Sequence, residues 1–182
     1  RKGNTALKRI RIWSAGCSTG EEAYTIAIII DKLKRLKLNG WTIEIKGTDI
    51  SHRVIEKAKE GVYRDYAVKK VPEEIKKKYF TRTGQEYHLD DGVKDAVTFS
   101  YCNLNDDMSM MFMKNFDIIF CKNVLIYFDL ASKKRVIQHF FNSLVRGGYL
   151  FIGFSESLYG VNDRFKLVHY PGGMVYRKEA HI

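Results

Sequence analysis

The sequence predicts an α/β fold: a Rossmann-like, mostly parallel β-sheet with helices on both faces, a C-terminal antiparallel hairpin and a small inserted α+β subdomain. Three observations carry that expectation. Apolar strand-like runs alternate with helical periodicities through most of the 182 residues. Four successive runs end in glycine-bearing or polar turns. Near the C-terminus, two further runs are joined by Pro171-Gly172-Gly173, a hairpin turn.

Residues 10–15 read as the first strand, and a helix from about 20 to 37 follows, with Ala23, Ile26, Ala27, Ile30 and Leu33 in helical spacing. Between them lies WSAGCSTGE, residues 13–21, a glycine-bearing turn opening into the helix. Such a turn presents backbone N–H groups and the positive end of a helix dipole, and so suits an anionic or electron-rich group. Ser18-x-x-Glu21 and Thr19-x-x-Glu22 both fit a capping box. One glutamate can therefore close the helix while the other faces a ligand, and the spacing does not choose between them. Ser18 stands where a dinucleotide fingerprint needs its second glycine, and no Gly-Lys-Ser/Thr follows, which disfavours NAD and nucleoside triphosphates.

The second strand, 42–48, ends at Asp49, and a helix over 51–60 follows with Ser51 as its N-cap. After Gly61 the alternation breaks. The segment 62–96 is too long for a bare loop. Pro72 can start a helix to Tyr79, and 79–83 and 86–89 can pair as strands through Gly84, giving the inserted subdomain. The main sheet resumes with strands at 97–101, 116–121 and 149–154, each apolar and rich in β-branched or aromatic residues. A helix over 132–145 places Val136, Phe140 and Leu144 on one face and stops at Gly147-Gly148. The hairpin strands are 165–170 and 174–177. Five α/β strands followed by an antiparallel hairpin outline a class I methyltransferase rather than a dehydrogenase.

Composition bounds the reading. With 45% hydrophobic residues the chain suffices for one well-buried core and is too short for two ordinary domains. A formal charge of +10 points to an acidic partner: nucleic acid, anionic lipid or an acidic protein surface. The lysines at 69, 70 and 76–78, and the set Lys32, Lys34, Arg35 and Lys37, also fit solvated helix faces. Cys17, Cys102 and Cys121 are odd in number, lack a C-x-x-C pair and lie in or beside apolar strands, as expected of reduced, buried thiols in a cytoplasmic protein. The five histidines are scattered without ligand spacing, so no metal is expected. No apolar run approaches 18 residues and the basic N-terminus has no apolar leader core, so neither membrane insertion nor a signal peptide is expected.

In an open parallel sheet, ligands bind at the carboxyl ends of the strands where the winding reverses. The strand-end residues here are 16–21 after the first strand, Asp49 and Ile50 after the second, Asn103 and Leu104 after the third, and Asn123 and Val124 after the fourth. An acidic side chain after strand two can accept both ribose hydroxyls of an adenosine group, and the asparagines can read adenine edges or an amino-acid moiety. Singly, Asp49 could cap a helix and each asparagine could close a turn. Four polar strand ends in succession describe an adenosine site. Tyr127, just beyond a strand-end asparagine, would sit beside the reactive end of the ligand.

These residues carry a family resemblance. WSAGCSTGEEAYTIA, GTDIS followed by a helix and EGVY, the CNL of 102–104, and FDIIFCKNVLIYF resemble the CheR-type chemotaxis receptor methyltransferases, from about Ile10 to Lys178. The resemblance implies S-adenosyl-L-methionine as cofactor, with S-adenosyl-L-homocysteine as product, and methyl esterification of glutamate side chains on the cytoplasmic helices of receptors. It implies cofactor contacts from Glu21, Asp49, Asn103, Leu104, Asn123 and Val124, to which the turn adds Gly16, Ser18 and Thr19 and the second strand end adds Ile50. Tyr127 is implied to line the methyl-transfer site. The inserted segment would correspond to the subdomain with which some members grip a receptor tail. Family members also resemble one another in an N-terminal helical domain and an N-x-T-x-F-F-R-type segment. Nothing before Ile10 matches it, and Asn4-Thr5 lies too close to the first strand, so the chain reads as the catalytic domain alone.

A substrate glutamate, with a carboxyl pKa of about 4.3, is ionised at neutral pH, so the expected displacement needs no general base. Two rivals remain: a non-catalytic module that binds the cofactor or docks a receptor, and an RNA methyltransferase. Against the second, Asn123-Val124-Leu125-Ile126 stands where amino-group methyltransferases carry an N-P-P-Y-like motif. No nucleic-acid partner is expected.

Overall fold

The computed structural model describes residues 8–179; Asn4 and Thr5 lie outside the described residues. The first strand, β1 (Arg9–Ala15), leads through a turn into α1 (Glu21–Leu36), then β2 (Thr42–Asp49) and α2 (His52–Glu60). The chain next leaves the main sheet to form β3 (Val62–Arg64), α3 (Asp65–Val68), α4 (Glu73–Tyr79), β4 (Phe80–Thr83), β5 (Glu86–Leu89) and α5 (Asp91–Lys94). It returns with β6 (Val97–Tyr101), α6 (Asp107–Met111), β7 (Phe116–Cys121), a 3₁₀ turn at Leu125–Tyr127, α7 (Leu130–Ser143), β8 (Leu144–Ile152), β9 (Phe165–Tyr170) and β10 (Gly173–Lys178). The seven-stranded sheet has the order β6-β2-β1-β7-β8-β10-β9. Its first five strands are parallel, and β10 runs antiparallel to both β8 and β9.

Burial explains the layers. Successive side chains of a strand face opposite ways, so β1 sends Trp13 and Ala15 into a cluster with Phe116, Phe140 and Leu150 on the α7 side. Ile12 joins Ala23, Tyr24, Ala27 and Ile45 on the α1 side. Trp13 is wholly buried, its ring 5.2 Å from Phe116 and edge-on to Phe140 at 5.3 Å. Its indole N–H donates to the Thr48 hydroxyl at 2.8 Å, so the one polar atom taken inside is satisfied.

Three departures from the sequence-based expectation have physical causes. The helix predicted over 132–145 begins and ends two residues earlier, and the strand predicted at 149–154 instead runs from Leu144 to Ile152, through the glycine pair. Between the pairings Phe116↔Leu144 and Ile118↔Tyr149, β8 advances five residues against two on β7, and Gly147, with φ +75°, takes up the bulge. The inserted segment holds a third strand as well, giving the order β3-β5-β4. Finally, α6, too short to show a period, exists because Asp106 caps it by accepting from Ser109 N at 2.7 Å.

Candidate active site at the strand ends

The winding reverses between β1 and β7: from β1 the sheet proceeds to β2 and β6 on one side and to β7 and β8 on the other. At this point Gly16 adopts φ +74°, and a Cβ there would lie 2.5 Å from Val124 Cγ2. Only glycine combines the left-handed backbone with that approach. Gly16 N and Cys17 N both donate to Thr48 O, at 2.8 and 2.9 Å, which folds the turn back over β2.

Asp49 ties three segments together. Its Oδ2 accepts from Ser18 N at 2.9 Å, its Oδ1 accepts from Ser51 N at 3.0 Å, and its carbonyl accepts from Cys102 N at 3.0 Å. Each carboxylate oxygen keeps a further lone pair for a ligand hydroxyl. Asn103 Oδ1 accepts from Asn105 N at 3.0 Å, which fixes its rotamer and leaves its NH₂ group without a partner among the described residues. Asn123 sits in the left-handed region at φ 59°, and Tyr127, 82% exposed, ends the 3₁₀ turn that follows.

A cavity of about 480 Å³ opens between these strand ends, lined by Gly16, Ser18, Asp49, Ile50, Cys102, Asn103, Leu104, Lys122, Asn123, Val124, Tyr127 and Phe128. Nine residues singled out from the sequence thus line one cavity. Thr19 and Glu21 stand elsewhere: with Lys57, Tyr63 and Arg64 they line a neighbouring cavity between α1 and the insertion. Glu22, one position on along α1, turns back toward the strand ends. Its Oε1 accepts from the Ser14 hydroxyl at 2.8 Å and its Oε2 pairs with Lys122 Nζ at 3.2 Å.

Neither capping box forms. Gly20, at φ 91°, is the N-cap and offers no side chain, while the Thr19 hydroxyl bonds Glu21 at 2.7 Å. Because Glu21 and Glu22 already occupy the first turn of α1, the dipole there is met by carboxylates. With Asp49 alongside, the turn suits hydroxyls, within the anionic or electron-rich class expected from the sequence, and cationic groups. Lys122 is the one cation among the lining residues.

The cysteines are free and buried. Burial, reinforced by the negative charge of Asp49, pushes the Cys17 thiol up to about 12; burial pushes Cys102 to about 11 and Cys121 well above its ordinary value. All three stay protonated at neutral pH. Among the described residues no group of three His, Cys, Asp or Glu side chains is placed to hold a metal ion, and no helix is long and apolar enough to cross a membrane.

Sequence reasoning passed over Lys122, Cys102, Phe128 and Glu156 as members or supports of the site. Glu156 was within reach: extending the strand-end rule to the fifth strand brings in the turn that begins at Gly153.

The sheet order, with its C-terminal antiparallel hairpin, is that of the class I methyltransferase fold. The solved structure of DszA carbon methyltransferase shares the fold, with a TM-score of 0.52 and 18% identity, over 83% of this chain and 30% of that one. The chain belongs to the family described as CheR methyltransferase, SAM binding domain, whose model matches residues 1–174. It is 36% identical over 171 residues to chemotaxis protein methyltransferase 2 of Vibrio cholerae serotype O1, covering 93% of this chain and 59% of that one. It is 39% identical to a chemotaxis protein methyltransferase of Vibrio parahaemolyticus serotype O3:K6, covering 92% of this chain and 62% of the relative. The chain therefore spans about 60% of the length of these two relatives.

Proposed function

We propose that this chain binds S-adenosylmethionine in the strand-end cavity and methylates glutamate side chains of chemotaxis receptors, forming methyl esters. The observation that carries the reading is the convergence of Asp49, Asn103, Asn123 and the Gly16 turn on one cavity. Its volume lies within the roughly 300–1,000 Å³ of small-molecule sites. Asp49 would hold the ribose hydroxyls and the free NH₂ of Asn103 the adenine edge, while Ile50, Leu104 and Val124 supply an apolar wall. Lys122, carried by Glu22, stands where a carboxylate of the methionine moiety can be met, and the carboxylates nearby favour a positively charged sulfonium. When bound, the cofactor supplies an electrophilic methyl group.

The residues of the chain then bind, orient and exclude water. Because the substrate glutamate is already ionised, no side chain has to take its proton. Alignment of two reactants is worth up to about 7–11 kcal/mol in ideal cases. Tyr127 at the cavity mouth shapes the approach. The net charge of +10 favours encounter with acidic receptor helices. The three reduced thiols fit a cytoplasmic setting. The insertion, with β4 as an outer strand of its small sheet, offers a place for an extended receptor-tail peptide.

Calorimetry with S-adenosylhomocysteine and transfer of labelled methyl to receptor-bearing membranes test the proposal. Binding together with base-labile label on receptor is the expected result. Binding without transfer would identify a non-catalytic module, and label on RNA would replace the substrate class.

A further inference from the structure

The geometry points to Glu156 as a positioning residue that clasps the segment 123–127 against the cofactor cavity by holding the backbone of Asn123. This rests on the proposed function and deepens it. Glu156 itself is not among the cavity-lining residues.

Asn123 occupies a left-handed conformation two residues past the end of β7, where its N–H can no longer follow the strand's ladder. That N–H donates instead to Glu156 Oε2 at 3.0 Å, across 33 residues of sequence. The same oxygen accepts from Gly153 N at 2.5 Å, and Glu156 N closes the turn by donating to Gly153 O at 3.0 Å. Two N–H groups converging on one carboxylate oxygen make a charge-assisted junction, stronger than neutral hydrogen bonds. It joins the turn after β7 to the turn after β8.

Gly153 is the second half of the device. A Cβ there would lie 2.6 Å from Glu156 Oε2, 2.7 Å from Asn123 Oδ1 and 3.0 Å from Asn123 N. The junction closes only over a glycine. Downstream of Asn123, the turn is held locally, by Tyr127 N to Val124 O at 3.2 Å and Phe128 N to Leu125 O at 3.2 Å. Leu125, buried in the main core, seats the middle of the turn, and the bond at Asn123 fixes where the turn leaves the sheet. Releasing it moves the Asn123 amide and Tyr127 together, and a displacement of about 1 Å at a reacting centre can cost about 10²-fold in rate.

The test compares E156A, E156Q and G153A by labelled methyl transfer, S-adenosylhomocysteine calorimetry and amide exchange. Glutamine keeps an oxygen that can accept from both N–H groups, whereas alanine keeps none. E156A is expected to lower kcat at saturating cofactor by at least about 10-fold, within the 10²-fold scale of such misplacements, with a smaller change in cofactor affinity because Asp49 and Asn103 remain. E156Q should recover most of the loss, and G153A should reproduce it. The double variant E156A/G153A should be no worse than either single one, since both break the same junction. Independently of turnover, the Asn123 and Gly153 amides should lose exchange protection in E156A and keep it in E156Q.

Wild-type kcat and protected amides in E156A would overturn the assignment, as would E156Q being as impaired as E156A. Should E156A not fold, E156Q and G153A decide: protected amides and normal turnover in G153A reject the clasp. Wild-type protein that neither binds S-adenosylhomocysteine nor transfers methyl overturns the proposed function instead, and the amide measurement still judges Glu156 by itself.

Discussion

The two flanks of the cavity are built differently. On the β1–β2–β6 flank, Asp49 ties the Ser18 turn and the start of α2 through its side chain and Cys102 through its backbone. That flank is the rigid one in the sense that its three segments are tied together by the chain's own hydrogen bonds. On the β7–β8 flank, Ile126, Tyr127, Phe154 and Tyr159 are exposed and the two turns meet through the single carboxylate of Glu156. A preorganised half suits a small cofactor met in one pose, and an open half suits a large protein substrate that brings its own surface.

Perturbing what both flanks stand on should have the largest effect. Trp13 lies beneath the point where they part, so W13A is expected to destabilise the fold by about 3–5 kcal/mol, the usual range for deleting a buried large aromatic, measured by urea unfolding. Next comes the rigid flank alone. D49A removes two charge-assisted ties and the proposed ribose acceptor together, so S-adenosylhomocysteine affinity should fall by more than about 1 kcal/mol in calorimetry. Unchanged affinity in a folded D49A protein would remove the rigid flank from the binding site.

On the open flank, Y127A should lower kcat for methyl transfer more than it changes cofactor affinity, while Y127F, which keeps the ring, should stay close to wild type. A Y127F protein as impaired as Y127A would assign the hydroxyl a chemical role and erase the contrast between a binding half and a shaping half. Negligible at neutral pH, and therefore last, is a pH dependence of the rigid flank. Cys17 and Cys102 hold their protons to about 12 and about 11 in the folded chain, against 9.0 for an ordinary thiol. Above pH 9 the unfolded chain therefore binds fewer protons, and stability should decline as pH rises from 9 toward 12, less steeply in C17A. Thermal unfolding across that range checks it.

Most strands were readable from the sequence because central strands of a parallel sheet are nearly continuous apolar runs, as in residues 118–121. The strand-end rule then placed Asp49, Asn103 and Asn123 on one rim. What escaped had a different origin in each case. The start of β8 was hidden because the Gly147-Gly148 pair reads as a helix stop but serves a bulge. Glu21 and Glu22 differ by one step of about 100° around a helix, so only packing decides that Glu22 meets Ser14 and Lys122. The strand-end rule carried to the fifth strand reaches the turn that holds Glu156, but its pairing with Asn123, 33 positions away, follows no periodicity.

The insertion has a consequence for anyone who would treat it as a detachable module. Gly61 and Leu89 are bonded backbone to backbone at 2.9 Å, which would make excision look simple. Yet Tyr63, Ile75, Tyr79 and Tyr87 share one apolar cluster with Tyr24, Ile26 and Ile28 of α1. Surgery at that neck would strip the outer side of the helix that starts at the Gly16–Gly20 turn, so transplanting the subdomain between relatives requires carrying the facing residues of α1 with it.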